Sequence, residues 1–506
     1  MTRIAVGRAL ISVSDKRGLI PFAASLVDNG VEIVSSGGTA THLDEAGIPV
    51  TRVEDVTGAP EMLGGRVKTL HPRIHGGILA DLGKGEHRQD LLDFGIATFQ
   101  LVVSNLYPFE ATVASDADYA TAIENIDIGG PTLIRAAAKN HDWVAVVVSS
   151  DRYDEIIAAI ESGGTSAELR TDLAREAFFR TAQYDAAIVN WLHAEDGQRK
   201  LVLPLERTTT LRYGENPHQP AALYSSGSSQ GWWNRAEQLQ GKEMSFNNYA
   251  DADAAWRLVN DLPEPSVAIL KHMNTCGAAT GPTLADVFSK AWECDPISAF
   301  GGVVACNAPI DGATARAIAE YFVEIVICPA IDDDARAVLA QKKNVRVLVA
   351  PEPSGDSVDM RSIDDGYLVQ VRDKVAVSGD AWQMMTRGPT EGERRDLEMA
   401  WVVATHTKSN AVVLVKDGAA IGVGAGDQSR VGAAERALAR AGSRAIGAAC
   451  ASDAFFPFRD GPDLLAQAGV TAIIEPGGSM RDDETIESAN EHEIALVFTG
   501  ERHFKH

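Results

Sequence analysis

Short apolar runs alternate with amphipathic stretches through most of the chain, and the turns between them are brief and often carry glycine. That alternation predicts an α/β fold built on a parallel sheet with helices on both faces. At 506 residues the chain is too long for one core, so two or three domains are expected. The polar stretch Glu195-Asp-Gly-Gln-Arg-Lys200 precedes a new apolar run at Leu201. It places a boundary between a first domain, 1–199, and a second, 200–506.

Hydrophobic residues at 45% and charged residues at 23% are ordinary for a soluble globular protein. The 46 Lys and Arg against 70 Asp and Glu leave a net charge of −24. Such a surface repels phosphate backbones and argues against nucleic acid as a partner. Anionic small molecules would need basic residues gathered locally, so the few such clusters are informative. Cys276, Cys294, Cys306, Cys328 and Cys450 form no C-x-x-C pair, and no H-x-E motif is matched with P-C-x-x-C. No zinc site is expected. An odd, sparse cysteine set suits a reducing cytosol. No signal peptide and no bilayer-spanning run is evident, so the expected location is cytoplasmic.

The first half reads as follows. Ala9–Ser14 is a strand, followed by an amphipathic helix to about Val27 and a second strand, Val31–Ser35. Ser36-Gly37-Gly38-Thr39 then opens a helix ending at Gly47, an arrangement whose free N–H groups and helix dipole suit an anion. The same glycines also suit a tight turn that binds nothing. In Leu63-Gly-Gly-Arg66-Val-Lys68-Thr69, Arg66 and Lys68 would share one face if extended, which suits a phosphate or a developing oxyanion. The strand Gln100–Ser104 delivers Asn105-Leu-Tyr107-Pro-Phe109. Asp127-Ile-Gly-Gly-Pro131 opens a helix whose last turn holds Lys139, where a cation also complements the dipole. Trp143–Val148 is a strand, and Ser166–Leu192 is a long helix.

The second half begins with Arg212-Tyr213-Gly-Glu-Asn-Pro-His218, a loop dense in functional groups. Ser225–Gly231 is a flexible tract without chemistry. A helix covers Ala250–Asn260, with Asn248 or Asp251 as candidate caps. The buried strand Ser266–Leu270 delivers Lys271 and His272 at its C-terminal end, a placement that open α/β sheets use for ligands. Cys276-Gly-Ala-Ala279 reads as a turn. A helix spans Thr283–Glu293, Gly301 leads into strand Val303–Cys306, and Glu324 opens the strand Glu324–Pro329. Pro351–Asp359 reads as a loop, and a helix over Glu391–Val403 precedes Ser409-Asn410 and strand Ala411–Val415. The glycines of Ile421–Gly426 alternate as G-x-G-x-G, which is not a dinucleotide fingerprint. The tail Arg502-His-Phe-Lys-His506 either frays or folds into a site.

These motifs resemble one family. Ser14-Asp-Lys16, Ser36–Thr39, Glu61–Pro72, Asn105–Phe109 and Ile126–Asn140 are similar to the IMP cyclohydrolase half of the bifunctional purine biosynthesis family. Leu211–Gln219, the Lys271-His272 motif, Ser409–Leu414, Gly424–Arg430 and Ala451–Asp460 are similar to its AICAR transformylase half. The resemblance implies a methylglyoxal-synthase-like first domain, then a transformylase region of two cytidine-deaminase-like α/β/α subdomains without zinc. It implies formyl transfer from 10-formyltetrahydrofolate, the co-substrate, to AICAR, and dehydrative closure of formyl-AICAR to IMP. It also implies a homodimer, and in some relatives a potassium ion, for which no ligand set is legible here.

By the same resemblance, Ser14, Lys16, Ser36, Gly37, Gly38, Thr39, Arg66, Lys68 and Thr69 contact the nucleotide. Tyr107, Asp127 and Lys139, with Lys68, fall on ring closure. Lys271, His272 and Asn410 fall on formyl transfer. Arg212, Tyr213, Asn248, Gly301, Glu324 and Arg502 fall on substrate contacts. Thr275 stands in place of the motif's usual proline, and Glu324 where some relatives carry Asp.

Ring closure joins two groups of one ligand and is mainly a positioning problem. A carboxylate such as Asp127 accepts from the amide, and Lys68, Lys139 or Tyr107 donates to the oxygen. Formyl transfer needs a base, His272, because the conjugated substrate amine is a poor nucleophile. Lys271 would stabilise the oxyanion or protonate the departing folate nitrogen. Two other readings remain open at this point: a nucleotide-binding regulator, and a deaminase-fold protein with one activity only.

Overall fold

The computed structural model describes residues 3–60, 62–115, 117–193, 199–226, 231–354, 358–375 and 382–506. Residues 194–198 of the expected boundary, 227–230 of the serine tract, 355–357 of the expected loop and Glu61 lie outside the described residues. The chain divides into two compact units, Met1–Leu205 and Glu206–His506.

In the first unit, strands β1 (Arg8–Ser12), β2 (Glu32–Ser35), β3 (Thr51–Arg52), β4 (Leu101–Ser104) and β5 (Ala145–Val147) form a parallel sheet of order β3-β2-β1-β4-β5. The apolar runs Ala9–Ile11, Leu101–Val103 and Ala145–Val147 are buried, as strands covered on both faces must be. Helix Leu19–Asp28 buries Leu19, Phe22, Ala23 and Leu26, and Phe22 stacks on Tyr153 at 4.1 Å between ring centroids. Helix Ala167–Leu192 starts at Ser166, whose hydroxyl accepts from the Leu169 N–H at 3.2 Å. Chain order reverses across β1, so the loops after β1 and β4 meet at a topological switch point.

In the second unit, β6 (Glu206–Leu211) and β7 (Ala221–Ser225) form a separate hairpin, as do β14 (Val358–Ile363) and β15 (Gly366–Val371). Residues 358 and 359, expected in a loop, thus begin a strand. The remaining strands are β8 (Glu237–Gln240), β9 (Ser266–Lys271), β10 (Asn274–Thr280), β11 (Val303–Cys306), β12 (Ile325–Cys328), β13 (Arg346–Val349), β16 (Gln383–Met384), β17 (Val412–Lys416), β18 (Ala419–Gly424), β19 (Ala449–Ser452), β20 (Ala472–Glu475) and β21 (Ala495–Phe498). They make one 12-stranded mixed sheet, ordered β16-β21-β20-β19-β17-β18-β10-β9-β11-β12-β13-β8.

That order contains a repeat. Read inward from either edge, each six-stranded half pairs its strands antiparallel, parallel, parallel, antiparallel, antiparallel. The halves join where β10 meets β18 at Ala279 and Ala419. Helices Phe246–Asn260 and Glu391–Thr405 correspond, each beginning with a capping box, from Ser245 and Asn248 in one and Thr390 and Glu393 in the other. Helices Leu284–Trp292 and Arg430–Ala441 also correspond. They approach the sheet so closely that a Cβ on Gly277 or Gly422 would run into the carbonyl of Ala291 or Ala437.

Two expectations are corrected. Cys276–Ala279 is not a turn but part of β10, because the chain already reverses at His272–Met273. Gly277 is there for helix approach, not for bending. Arg66 and Lys68 do not lie on an extended segment. Gly64 and Gly65, both at positive φ, fold Leu63–Gly65 into a 3-10 turn and Arg66 continues it.

Candidate active sites

In the first unit the polar loops converge by direct contacts. The Asn105 side-chain oxygen accepts from the Ser14 and Asp15 N–H groups at 2.6 and 3.0 Å, and its amide donates to the Asp15 carbonyl at 2.9 Å. This clamp ties the Ser14–Lys16 loop to the Asn105–Tyr107 loop. Its signal in the sequence was only a polar residue at a strand end. Thr39, buried, exchanges hydrogen bonds with Val13 N and O at 3.1 and 3.0 Å. Its hydroxyl therefore fastens the Ser36–Thr39 turn to β1. A Cβ at Gly37 would sit 3.5 Å from the Lys68 ammonium nitrogen, and one at Gly129 would sit 3.3 Å from the Thr69 hydroxyl. The Lys68–Thr69 segment thus lies between the glycine turn and the start of helix Gly129–Lys139. Arg66 pairs with Glu124.

Asp127 Oδ1 accepts from Gly130 N at 2.8 Å, and the Asp127 N–H donates to the Tyr184 hydroxyl at 2.7 Å. Burial pushes the Asp127 carboxyl upward, opposed by backbone N–H groups of Gly130, Tyr107 and Gly129. Tyr107 is exposed with its backbone against Asp127, so its ring is open to a ligand. Lys139 lies in the last turn of the helix that starts at Gly129.

In the second unit, β9 and β10 form a two-residue hairpin with His272 and Met273 at its tip, at φ 53° and 57°. Positive φ at residues bearing a Cβ costs on the order of 1 kcal/mol or more each. Lys271 Nζ donates to the Phe300 carbonyl at 2.7 Å and lies beside Gly301. Gly301, at φ 74°, donates to the Phe322 carbonyl at 2.8 Å, and the Glu324 N–H donates to the Gly302 carbonyl at 2.9 Å. Glu324 Oε2 accepts from Asn248 Nδ2 at 3.2 Å and lies 3.8 Å from Arg346. Asn248 therefore both completes the capping box and reaches the site. Asn247 Nδ2 donates to the Glu215 carbonyl at 3.4 Å, which brings the Arg212–Tyr213 loop to the same helix end. The Arg212 guanidinium lies over the Tyr213 ring at 4.9 Å. Asp251 does not cap the helix. Its carboxylate accepts from the backbone of His272 and Met273. Thr275 is buried opposite Leu270, and its hydroxyl has no partner.

Asn410 is not part of this group. Its Oδ1 accepts from Arg430 at 2.6 Å and its Nδ2 donates to the Asp427 carbonyl at 2.8 Å. Arg430 also bonds Ser452 Oγ at 2.9 Å and pairs with the fully buried Asp453. The tail folds here rather than fraying. His503 donates its N–H to the Asp453 carbonyl at 3.1 Å and its ring meets Asp373 at 2.6 Å, while Ser409 N donates to the Lys505 carbonyl at 2.9 Å. Arg502, exposed, thereby stands with Asn410. Lys271 and Asn410 occupy the same edge of the sheet, but β9 and β17 are three strand positions apart, at least about 14 Å at 4.8 Å per strand.

Glu475, at the end of β20, holds the loop after Ser452 by accepting from Phe456 N at 2.6 Å, while its Oε1 has no partner. Burial pushes its carboxyl up to about 8, with nearby Asp482 adding and Arg430 opposing. Folded protein therefore keeps a proton on Glu475 that unfolded chain loses above the ordinary glutamate range, so stability falls as pH rises toward 8. Glu475→Gln should raise the melting temperature at pH 8 much more than at pH 5, with a difference in stability of roughly 3 kcal/mol. Equal shifts at both pH values would sink that account.

Among the described residues no group of three or more His, Cys, Asp or Glu is placed to hold a metal. Among the described residues, the buried hydroxyls lacking a partner, on Ser104, Thr275, Thr314 and Thr485, lie on four separate elements and build no cage for a potassium ion. Among the described residues no helix is long and apolar enough to cross a membrane.

The chain matches the model of the AICARFT/IMPCHase bienzyme over residues 137–440 and that of the MGS-like domain over 18–132. It belongs to the AICARFT/IMPCHase bienzyme family. Among its relatives, the bifunctional purine biosynthesis protein PurH of Roseobacter denitrificans is 49% identical, over 99% of this chain and 98% of the relative. PurH of Parvibaculum lavamentivorans is 50% identical over 99% and 97%, and that of Rhodospirillum rubrum 51% over 99% of both. As a member of the bienzyme family the chain is a bifunctional AICAR formyltransferase and IMP cyclohydrolase of purine biosynthesis. The MGS-like match, 18–132, falls within the parallel-sheet first unit.

Proposed function

We propose that the first unit closes the ring and the second transfers the formyl group, from 10-formyltetrahydrofolate to the amine of AICAR. In the first unit the Ser14–Lys16 loop, the N–H groups of Ser36–Thr39, Arg66 and Thr69 hold the nucleotide phosphate and ribose. Asp127, its proton affinity raised by burial, accepts from the carboxamide N–H as the nitrogen attacks the formyl carbon. Lys68 and Tyr107 donate to the oxygen that leaves as water. Lys139, in the last turn of the same helix, is a further candidate donor to that oxygen.

In the second unit His272 takes the proton of the attacking amine and Lys271 supports the oxyanion, with Arg212, Tyr213, Asn248, Gly301 and Glu324 as the substrate's frame. The separation of Lys271 from Asn410 carries one further step. Asn410 and Arg502 reach the substrate held by Lys271 of a second copy, so the transfer site is shared across a homodimer. The buried thiols and the acidic surface suit a cytoplasmic enzyme acting on small molecules rather than nucleic acid.

Co-expression of Lys271→Ala with Asn410→Ala tests the shared site. Each homodimer should be inactive in transfer, whereas the mixed dimer regains one intact site, about a quarter of wild-type activity overall. No recovery in a verified mixed dimer would place both residues in one protomer's site.

A further inference from the structure

The repeat in the large sheet sets two hairpins in equivalent places, and only one carries the transfer residues. At the β9–β10 tip, Asp251 Oδ1 accepts from Met273 N at 2.7 Å and Oδ2 from His272 N at 3.3 Å. At the β17–β18 tip, Asp396 Oδ1 accepts from Gly418 N at 2.8 Å and Oδ2 from Asp417 N at 2.9 Å. Both aspartates are the sixth residue of their capped helix. The lysines match too. Lys271 and Lys416 each donate to a carbonyl at 2.7 Å, of Phe300 and Ile446, and each lies beside a positive-φ glycine, Gly301 and Gly447.

The two tips differ in sequence. Asp417-Gly418, at φ 52° and 71°, is the pairing that two-residue hairpins with left-handed centres favour. His272-Met273 holds the same conformation with two side chains that disfavour it. The His272 hairpin carries an imidazole where its counterpart carries turn-forming residues, and in both a carboxylate binds the two tip N–H groups and holds the turn.

We infer that Asp251 is a positioning residue for formyl transfer, locking the His272–Met273 turn so that the imidazole faces the substrate amine. This rests on the assignment of Lys271 and His272 given above. Positioning of this kind acts on the rate of the bound complex more than on substrate affinity.

The test uses the full-length enzyme and follows formyl transfer together with closure of supplied formyl-AICAR. Asp251→Ala should lower kcat for transfer by at least about tenfold, with KM for AICAR and ring closure nearly unchanged. Adding Met273→Gly, which relieves the left-handed strain without the carboxylate, should recover most of that rate. Asp396→Ala, at the relaxed Asp-Gly turn, should leave transfer unchanged. If Asp251→Ala does not fold, Asp251→Asn takes its place, since it keeps an acceptor for Met273 N and loses the one for His272 N. Wild-type transfer in the Asp251 variant, or a folded variant that Met273→Gly does not restore, overturns the inference. A Lys271→Ala control that still transfers formyl would instead remove the assignment on which it rests.

Discussion

Lys271→Ala should lose formyl transfer by a factor of about 100 to 1000, while still closing formyl-AICAR supplied to it. Lys68→Ala should do the reverse, making tetrahydrofolate and formyl-AICAR but little IMP. The reason is that the two lysines belong to different units. Lys68 lies beside Gly37 in the first unit, and Lys271 lies against Phe300 and Gly301 in the second. Following IMP and tetrahydrofolate in one reaction reads both sites at once. Loss of both activities in each variant would mean that the two chemistries share a site, contrary to the proposed division.

Arg430→Ala should have the largest effect on stability, on the order of 3–5 kcal/mol, because it strands the fully buried Asp453 without its cation. Asp453 retains the Ser409 hydroxyl and the Ala411 N–H, which limits the loss to that range. The contrast is Arg436→Ala, which breaks an ion pair with Asp427 whose arginine is 61% exposed and should cost less than about 1 kcal/mol. Arg430 also orients the Asn410 amide, so the variant should lose formyl transfer at temperatures where it remains folded and keep ring closure. Urea unfolding of both variants beside the paired assay checks each part. A small change for Arg430→Ala would mean that water replaces the guanidinium in the interior.

Most strands and helices of the first unit were legible because their apolar runs are short, continuous and bounded by glycine or polar residues. Ala9–Ile11 and Leu101–Val103 are cases where burial on both faces leaves no ambiguity. The errors arose where a residue type serves two purposes. Gly277 looks like a turn former in the sequence, yet it sits mid-strand because a helix carbonyl occupies the space of its Cβ. Asp251 is, with Asn248, a candidate helix cap by sequence, yet it serves a hairpin 21 residues on. Gly422 and Gly424 of the G-x-G-x-G pattern have the same cause as Gly277, close approach of a helix to β18, whereas Gly426 stands at a positive φ of 65°.

By itself the sequence determined the α/β class, the family, the two chemistries and the residue types proposed to perform them, since these are carried by local periodicity and by contiguous motifs. Only the tertiary structure decided which of those residues meet. The clamp of Asn105 on Ser14, the placing of Lys68 beside Gly37, the distance between Lys271 and Asn410, and the pairing of Asp251 with a distant turn all depend on strand order and helix approach. Those are long-range quantities, fixed by burial and backbone hydrogen bonding over the whole sheet, and no local stretch of sequence encodes them.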